Sequence, residues 1–463
     1  MIRNFFRQIF DLEVPTTSPV AKLKIIPRKK HKISRDQINP CALKVANELQ
    51  KAGYTAFIVG GAVRDLLLGL EPKDFDVATN ATPQEIRAIF RRSRIIGRRF
   101  QLVHVMCGSV TVEVSTFRGP LLPDTNDNNN TITHTDQHGR LLHDNVFGSQ
   151  EEDAVRRDFS INALFFDPAS EEIYDFLKGY NDIQEKKLRI IGSPEKRYRE
   201  DPIRMLRAVR LAAKLNMELD PATALPIGDL APLLQNVPPA RLFDEMLKLL
   251  LSGYALTCVV ELRARGLHHG LLPMLDIILE QPLGERFITL ALQSTDQRIQ
   301  QNKPVSPGFL FAALLWHEIL TVWNKHQALG EKPMPALHMA IDETLSKQHK
   351  KLAIPRRFDV VIKEIWTMQP RFLTRTGAKP FRLISNPRFR AAYDFMLLRC
   401  ESGELDKNIG EWWKTFVNTS AEKRETMLLK NSGAKKRRKP RHRRKITSNN
   451  LVCFNTVING SEK

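Results

Sequence analysis

Two aspartates separated by one residue, Asp74 and Asp76, are the side chains whose spacing most directly suggests chemistry. They belong to the segment KDFDVAT, whose apolar residues are typical of a strand, and positions i and i+2 of a strand share one face. Two neighbouring carboxylates repel each other unless a cation lies between them. Mg²⁺ is a cation that carboxylates commonly share with substrate phosphates. The alternative is a turn in which both aspartates are merely solvated.

A Gly-Gly step precedes this pair. Gly60 and Gly61 connect an apolar run at 56–60 to a segment with helical spacing at 61–69. Glycine allows the backbone to approach a phosphate closely, and the first N–H groups of a helix attract anions. Arg64, in the first turns of the helix, can reach a triphosphate or pair with a neighbouring carboxylate. Tight turns also use glycine for steric reasons alone, so the step is informative only beside the aspartate pair.

Further charged residues follow on other segments. Glu113 belongs to VTVEVSTF, an alternating strand whose valines are expected to pack inward while Glu113 lies on the opposite face. Arg156, Arg157 and Asp158 precede another alternating apolar segment. Arginine is a natural phosphate ligand, and Asp158 either joins the aspartate pair or orients the two arginines.

The elements that must position these residues alternate between strands and helices. Strands are predicted at 56–60, 75–79, 94–97, 101–108 and 110–117. Helices are predicted at 61–69 and 83–90, the second opened by a capping box at 82–85. Residues 120–145, rich in Pro, Asn and Asp, are interpreted as a mobile loop, and helical periodicity dominates beyond about residue 185. The order predicts an α+β protein with a mixed sheet followed by helices.

The chain is strongly basic, with 71 Lys and Arg against 51 Asp and Glu and a formal net charge of +20. Nine of these cations lie in the run 435–445, and RNA binding is assigned to Lys435, Lys436, Arg437, Arg438, Lys439, Arg441, Arg443, Arg444 and Lys445. Polycations gain affinity for nucleic acid by releasing counterions. The alternative is a solvated tail without a specific function.

Membrane insertion is not expected. No apolar run approaches the ~20 residues needed to span a bilayer. The N-terminal stretch lacks the pattern of a secretory signal. A cytoplasmic location is therefore predicted.

Three motifs resemble, in order and spacing, the class II nucleotidyltransferases, the family of bacterial poly(A) polymerases and CCA-adding tRNA enzymes. They are GGAVRDLLLG with DFDVAT, then RRDFSINAL, then REDPIRMLRAVRLAAKL. The resemblance implies a polymerase-β-like nucleotidyltransferase head with a mixed sheet, followed by all-helical neck, body and tail domains. The segments so defined are a basic extended N-terminal segment at 1–40, a catalytic head at 41–185, a base-reading neck at 186–255, an RNA-binding body and tail at 256–430, and a disordered basic tail at 431–463.

The resemblance also implies residue roles. Asp74 and Asp76 match the metal-binding pair, and Asp158 matches the catalytic aspartate of RRDF. Glu113 matches the strand carboxylate next to the same site. The implied reaction is in-line attack of an RNA 3′-hydroxyl on the α-phosphate of ATP at a two-metal Mg²⁺ site, with Mn²⁺ as an alternative. Nucleotide binding is assigned to Gly60, Gly61, Arg64, Arg157, Asp201 and Arg204.

Asp201 and Arg204 match the family's base-reading pair. A carboxylate beside a guanidinium complements the amino donor and ring acceptor of adenine, and cytosine offers the same order. The pair therefore does not separate ATP from CTP. The alternative is a helix-capping Asp201 with Arg204 in a surface ion pair.

Features outside the motifs favour polyadenylation. The segments 95–105, 238–253 and 387–399 and the basic C-terminus resemble the poly(A) polymerase branch. The expected function is addition of AMP to RNA 3′ ends, promoting RNA decay, with an RNA-degrading assembly as a candidate partner. CCA addition to tRNA is the alternative. A non-catalytic RNA-binding relative is disfavoured because all four carboxylates are present.

Overall fold

The computed structural model describes residues 23–97, 101–119, 146–268, 282–352 and 354–428. The strands within them are β1 Lys24–Ile26, β2 Ala56–Val59, β3 Asp76–Thr79, β4 Ser93–Ile96, β5 Leu102–Cys107, β6 Val110–Thr116, β7 Leu164–Asp167, β8 Glu172–Asp175, β9 Lys187–Leu188 and β10 Glu218–Leu219. The helices up to residue 264 are α1 Arg28–His31, α2 Pro40–Lys51, α3 Gly61–Leu67, α4 Pro83–Ile89, α5 Gln150–Arg156, α6 Gly179–Gln184, α7 Pro194–Glu200, α8 Ile203–Leu215, α9 Pro221–Ala224, α10 Ile227–Leu230, α11 Pro239–Leu250 and α12 Ala255–Ala264. The later helices are α13 Pro282–Gln300, α14 Pro307–Leu314, α15 Trp316–Ala328, α16 Pro333–Leu352, α17 Asp359–Phe372, α18 Lys379–Ile384, α19 Phe389–Ser402, α20 Lys407–Asn418 and α21 Ala421–Thr426.

Eight strands form one mixed sheet in the order β1-β8-β7-β2-β3-β6-β5-β4. The pair β3 and β6 is parallel, and the other neighbours are antiparallel. On β6 the alternation works as predicted, since Val112 and Val114 are buried in the core while Glu113 is partly exposed. The mixed sheet and the helices that follow it confirm the predicted α+β class.

The sheet is larger than the sequence predicts. The five predicted strands all form, and three more join them: β7, β8 and β1. The strand β1 corrects the prediction that residues 1–40 are an extended lead-in, because it pairs antiparallel with β8 and its Ile26 is 1% exposed. The head sheet therefore begins before residue 41. Three residues that pair with a strand far along the chain leave no local periodicity to detect.

Contrary to the prediction of an all-helical neck, the segment 186–255 is not purely helical. The two-residue strands β9 and β10 pair in parallel within it. Helices dominate the rest, and α8 buries Leu206 and Val209 in the core while Arg204 and Arg207 line a cavity. This division follows from helical spacing, since positions three apart lie on one face.

Two hydrophobic clusters hold the helical half together. Trp316 and Trp366 belong to the large core that extends from the head, whereas Phe372 and Trp413 belong to a second cluster formed by α17 to α20. All four side chains are fully buried. In the part of the chain that the structure describes, no helix is both long enough and apolar enough to cross a bilayer.

Candidate functional site

A cavity of about 690 Å³ lies where the head sheet meets α7, α8 and α11. Its lining includes the end of β2, the start of β3, the middle of β6 and the segment after α5. Eight arginines and one lysine line it together with eight aspartates and glutamates. Such a lining suits a ligand that carries strong charges, because apolar ligands are bound by largely apolar walls.

Asp76 and Glu113 form the acidic side of this cavity. Asp76 opens β3, and its partner in the parallel register is Glu113 on β6. Burial, and after it the charge of Glu113, raises the pKa of Asp76 to about 6, with Arg157 opposing and Asp74 adding to the effect. Asp76 is therefore a carboxylate whose ionised form lacks enough positive charge around it.

Asp74 does not occupy the strand, contrary to the prediction that both aspartates share one strand face. The pairing of β3 with β2 ends at Asp76, opposite Val59, and Asp74 is exposed in the segment before it. Periodicity extended the predicted strand to Phe75 because that residue continues the alternation of apolar side chains. The charge of Asp74 still acts on Asp76.

The donors at this edge of the sheet fit Mg²⁺. Within the described residues, no three His, Cys, Asp or Glu side chains form a ready-made metal cluster. Mg²⁺ does not need one, because it commonly binds through one or two carboxylates and takes its other ligands from water and substrate phosphates. A divalent cation would supply the charge that the raised pKa of Asp76 shows to be missing.

The Gly-Gly step joins β2 to α3, as predicted. Gly60 has φ +72°, a conformation that L side chains rarely adopt, and a Cβ there would lie 3.2 Å from Nη1 of Arg157. Glycine thus lets the chain turn against this arginine at the cavity wall. Asp153 holds Arg157 in place by accepting hydrogen bonds from Nε at 3.1 Å and Nη2 at 2.9 Å.

Arg64 is buried in the wall and is only 7% exposed. Its Nε donates to Oδ1 of Asp65 at 2.8 Å, and its Nη1 donates to Oδ1 of Asn162 at 2.6 Å. The structure therefore contains the second of the two predicted roles, pairing with a neighbouring carboxylate. Contact between Arg64 and a triphosphate stays a prediction.

Asp158 forms a partly buried ion pair between the head and α8. Its Oδ2 accepts from Arg207, with Nε at 2.8 Å and Nη2 at 2.6 Å. Its Oδ1 accepts from Nδ2 of Asn162 at 3.0 Å and from the backbone N–H of Phe159 at 2.8 Å. Burial alone would raise the pKa of Asp158, but the Arg207 charge and these hydrogen bonds hold it well below its usual range. Arg207 was not among the predicted site residues.

Asp201 lies between α7 and α8, and Pro202 occupies the N-cap position of α8. Its Oδ2 accepts from Nη2 of Arg241 on α11 at 2.9 Å. Its Oδ1 is buried and has no hydrogen-bond partner among the described residues. A buried oxygen of this kind is unfavourable unless a ligand donates to it. Arg204 lines the same cavity.

The cavity is also lined by four positively charged arginines, here called the arginine cluster: Arg118, Arg156, Arg197 and Arg204. Burial and then repulsion from the other arginines lower the pKa values of Arg156 and Arg197 to about 10. One carboxylate, Glu200, accepts from both Arg197 at 2.8 Å and Arg204 at 3.0 Å. The cluster therefore favours an anionic ligand.

Sequence reasoning missed Arg118 and Arg197 as site residues. The spacing of Arg197, Glu200 and Arg204 is that of one helical face, which was a usable signal. Arg241 gave no such signal, because it reaches the cavity from α11. The predicted loop 120–145 and the predicted RNA-binding run 435–445 lie outside the described residues.

Comparison with known families agrees with the architecture. The family described as "Poly A polymerase head domain" matches residues 56–189. "Probable RNA and SrmB- binding site of polymerase A" matches 216–279, and "Polymerase A arginine-rich C-terminus" matches 329–445. The head sheet and the head-domain match define the chain as a nucleotidyltransferase.

Individual relatives make the assignment narrower. The poly(A) polymerase I of Salmonella typhi is 43% identical over 456 residues, which cover 96% of this chain and 97% of the relative. The CCA-adding enzyme of Bacillus licheniformis is 35% identical over 248 residues, 53% of this chain and 58% of the relative. The chain belongs to the poly(A) polymerase I family, which confirms the resemblance found in the sequence.

A solved structure is similar as well. The crystal structure of the Bacillus stearothermophilus CCA-adding enzyme in complex with CTP is 26% identical, with a TM-score of 0.53. The match covers 82% of this chain and 84% of that one. The CCA-adding enzyme thus shares the fold, while the Salmonella typhi poly(A) polymerase I aligns with nearly the whole chain at 43% identity.

Proposed function

We propose that this protein adds AMP from ATP to RNA 3′ ends without a template and releases pyrophosphate. One observation carries the proposal: a single cavity combines an under-compensated carboxylate, Asp76, with the crowded arginine cluster. A nucleoside triphosphate with a divalent cation brings the complementary charge to each. Full-length similarity to poly(A) polymerases supports ATP and RNA as the substrates.

Asp74 and Asp76 would hold the metal, with Glu113 as an additional carboxylate beside them. When bound, Mg²⁺ activates the attacking hydroxyl and neutralises the leaving pyrophosphate. The two aspartates lie in different environments. Asp76 is partly buried at the start of β3, so its position is fixed, whereas Asp74 is exposed before the strand. Mn²⁺ is an alternative at the same oxygen ligands.

The arginine cluster and Arg157 would bind the triphosphate. Gly60 and Gly61 bring the backbone to the cavity wall, where Arg157 is fixed by Asp153. A fixed guanidinium loses little side-chain freedom when it binds a phosphate, so it orients the α-phosphate for in-line attack. Asp158 contributes by holding α8 against the head through Arg207.

Asp201 and Arg204 would read the base. The free Oδ1 of Asp201 is suited to accept from the amino group of adenine, and Arg204 can donate to the ring nitrogen. The hydrogen bond from Arg241 restrains Asp201 on its other oxygen. The restraint would fix the position of the base, and we take it as the feature that allows the pair to discriminate between adenine and cytosine.

The remaining assignments follow from the family and the charge. We assign RNA binding to the body and tail at 256–430 and to the basic run 435–445, and base reading to the neck at 186–255. The cytoplasm supplies both ATP and RNA, so we propose that location. A tail added to an RNA 3′ end suits an RNA-degrading assembly as a partner and RNA decay as the outcome.

The decisive assay supplies Mg²⁺ and either ATP or CTP to two primers, an unstructured RNA and a tRNA that lacks its 3′ end. A long ladder from ATP on the unstructured RNA is the expected product. Asp76→Ala should abolish addition and leave RNA affinity unchanged, while the exposed control Asp229→Ala should behave as wild type. One to three additions confined to the tRNA would assign the protein to CCA addition instead.

A further inference from the structure

The segment 371–390 is unusually basic, since it contains six Lys and Arg residues and no Asp or Glu. Two of its arginines pair with carboxylates, Arg388 with Glu364 and Arg390 with Asp394. The others have no carboxylate partner among the described residues: Arg371, Arg375, Lys379 and Arg382. Cations left uncompensated on one side of a fold create a local positive field.

Three of these cations surround a groove of about 400 Å³ between the start of α16, the end of α17 and α18. Lys379 and Arg382 are three positions apart on α18 and therefore share a face. The groove also contains apolar side chains from all three helices, and Leu383 among them is 4% exposed. The basic groove, as it is called below, is lined by Met334, Pro370, Arg371, Thr374, Lys379, Arg382, Leu383 and Asn386.

We infer that the basic groove binds a nucleotide of the single-stranded RNA primer, upstream of the 3′ end that occupies the head cavity. The RNA phosphate would lie against Lys379, Arg382 and Arg371, and the base against the apolar side chains. The groove volume is within the range of roughly 300–1,000 Å³ typical of small-molecule pockets. The inference rests on the proposed function, because it takes RNA as the substrate.

The composition of the basic groove favours RNA over other occupants. Lys and Arg without carboxylate partners gain affinity for a phosphate backbone through counterion release. An apolar surface beside them accepts the face of any base, which suits an enzyme that must bind unrelated RNA sequences. No carboxylate lines the groove, so a basic peptide finds no complementary charge there.

The first test measures binding of a 20-nucleotide single-stranded RNA to the full chain by fluorescence anisotropy, without ATP, at several salt concentrations. The variant Lys379→Gln/Arg382→Gln removes two exposed cations and should fold normally. Its affinity should fall about tenfold, and its salt slope should decrease by roughly 1.4, since each phosphate contact on a single strand contributes roughly 0.7.

A matched control changes the same number of charges elsewhere in the helical half. Arg286 and Lys303 are exposed and have no carboxylate partner among the described residues, so Arg286→Gln/Lys303→Gln should keep the wild-type affinity and slope. An equal loss in both variants would mean that only net charge matters. An unchanged Lys379→Gln/Arg382→Gln variant would overturn the inference directly.

A second measurement locates the RNA. A primer carrying 4-thiouridine should crosslink on irradiation to peptides within 371–386, and excess free ATP should not reduce the yield. Competition by ATP would make the basic groove a site for free nucleotides instead. Because neither measurement requires catalysis, an inactive protein that still crosslinks there would refute the proposed function alone.

Discussion

Replacing Asp158 by asparagine, or Arg207 by methionine, breaks the ion pair that joins the head to α8. Asp158 accepts four hydrogen bonds, two of them from Arg207, and Glu245 lies 3.9 Å from the same guanidinium. Asparagine keeps one acceptor oxygen but places donor N–H groups against the donors of Arg207. Methionine fills much of the space of Arg207 but leaves the carboxylate without its cation.

The magnitude follows from how deeply the pair is buried. Removing one partner of a buried pair costs about 3–5 kcal/mol, because the other charge remains in a poorly solvated place. The Asp158 side chain is 13% exposed and that of Arg207 is 32% exposed, so water screens part of the loss. We expect roughly 2–4 kcal/mol for either single substitution. The double variant removes both charges and should be less destabilised than the sum of the two, by roughly 2 kcal/mol.

Urea unfolding followed by circular dichroism measures these free energies. The pH dependence gives a second check with a defined sign. Because the folded-state pKa of Asp158 is depressed, its stabilising contribution is fully present above the unfolded pKa near 3.9 and is lost only below it. The difference between wild type and Asp158→Asn should therefore be constant from about pH 7 to 5 and shrink below about pH 4.

Activity separates the two roles of Asp158. If it acts by positioning α8, then Asp158→Asn and Arg207→Met should lose AMP addition to a similar degree, and the double variant should be no worse than either. The reasoning fails if Arg207→Met stays active while Asp158→Asn is inactive, with stability effects that simply add. That outcome would give Asp158 a direct catalytic role, as the sequence resemblance implies.

Three further outcomes are expected. Asp76→Asn should stabilise the metal-free protein at pH 7 by roughly 1–3 kcal/mol, because the raised pKa of Asp76 disfavours its ionised form on folding. Urea unfolding in EDTA should show this gain vanishing as the pH falls from about 6 to 4. Gly60→Ala forces a Cβ towards Arg157 at positive φ, so it should cost about 1–2 kcal/mol and raise the KM for ATP. Arg241→Gln releases Asp201, so the ratio of kcat/KM for ATP over CTP should fall about tenfold in single-addition assays, and an unchanged ratio would contradict a restraining role.

Local patterns in the sequence were sufficient for much of the head. A short apolar run located β2, alternation located β5 and β6, and the capping box predicted at Thr82 and Glu85 forms at the start of α4. These signals depend on neighbours two to four positions apart, which is the range that periodicity reports. The aspartate pair was found in the same way, although its first member lies outside the strand.

Contacts between distant segments could not be read in this way. The edge strand β1 pairs with β8, and Arg207 and Arg241 reach carboxylates on segments 40 or more residues away. Nothing in the local sequence around Arg207 or Arg241 distinguishes a solvated cation from one that holds a site together. The partners became visible only when the fold brought the helices against the sheet.

The ion pairs within the cavity distinguish carboxylates that support the fold from the carboxylate that is suited to bind a cation. Five of its eight acidic side chains bond to arginines: Asp153, Asp158, Glu200, Asp201 and Glu245. Asp244 is exposed to water and Glu113 lies beside His104, whereas Asp76 is partly buried without an arginine partner among the described residues. Arginines compensate the other buried carboxylates, whereas Asp76 is repelled by its acidic neighbours. This repulsion lowers the stability of the fold. The same strain would contribute to binding of the proposed divalent cation, which is why loss of function and gain of stability are expected together at Asp76.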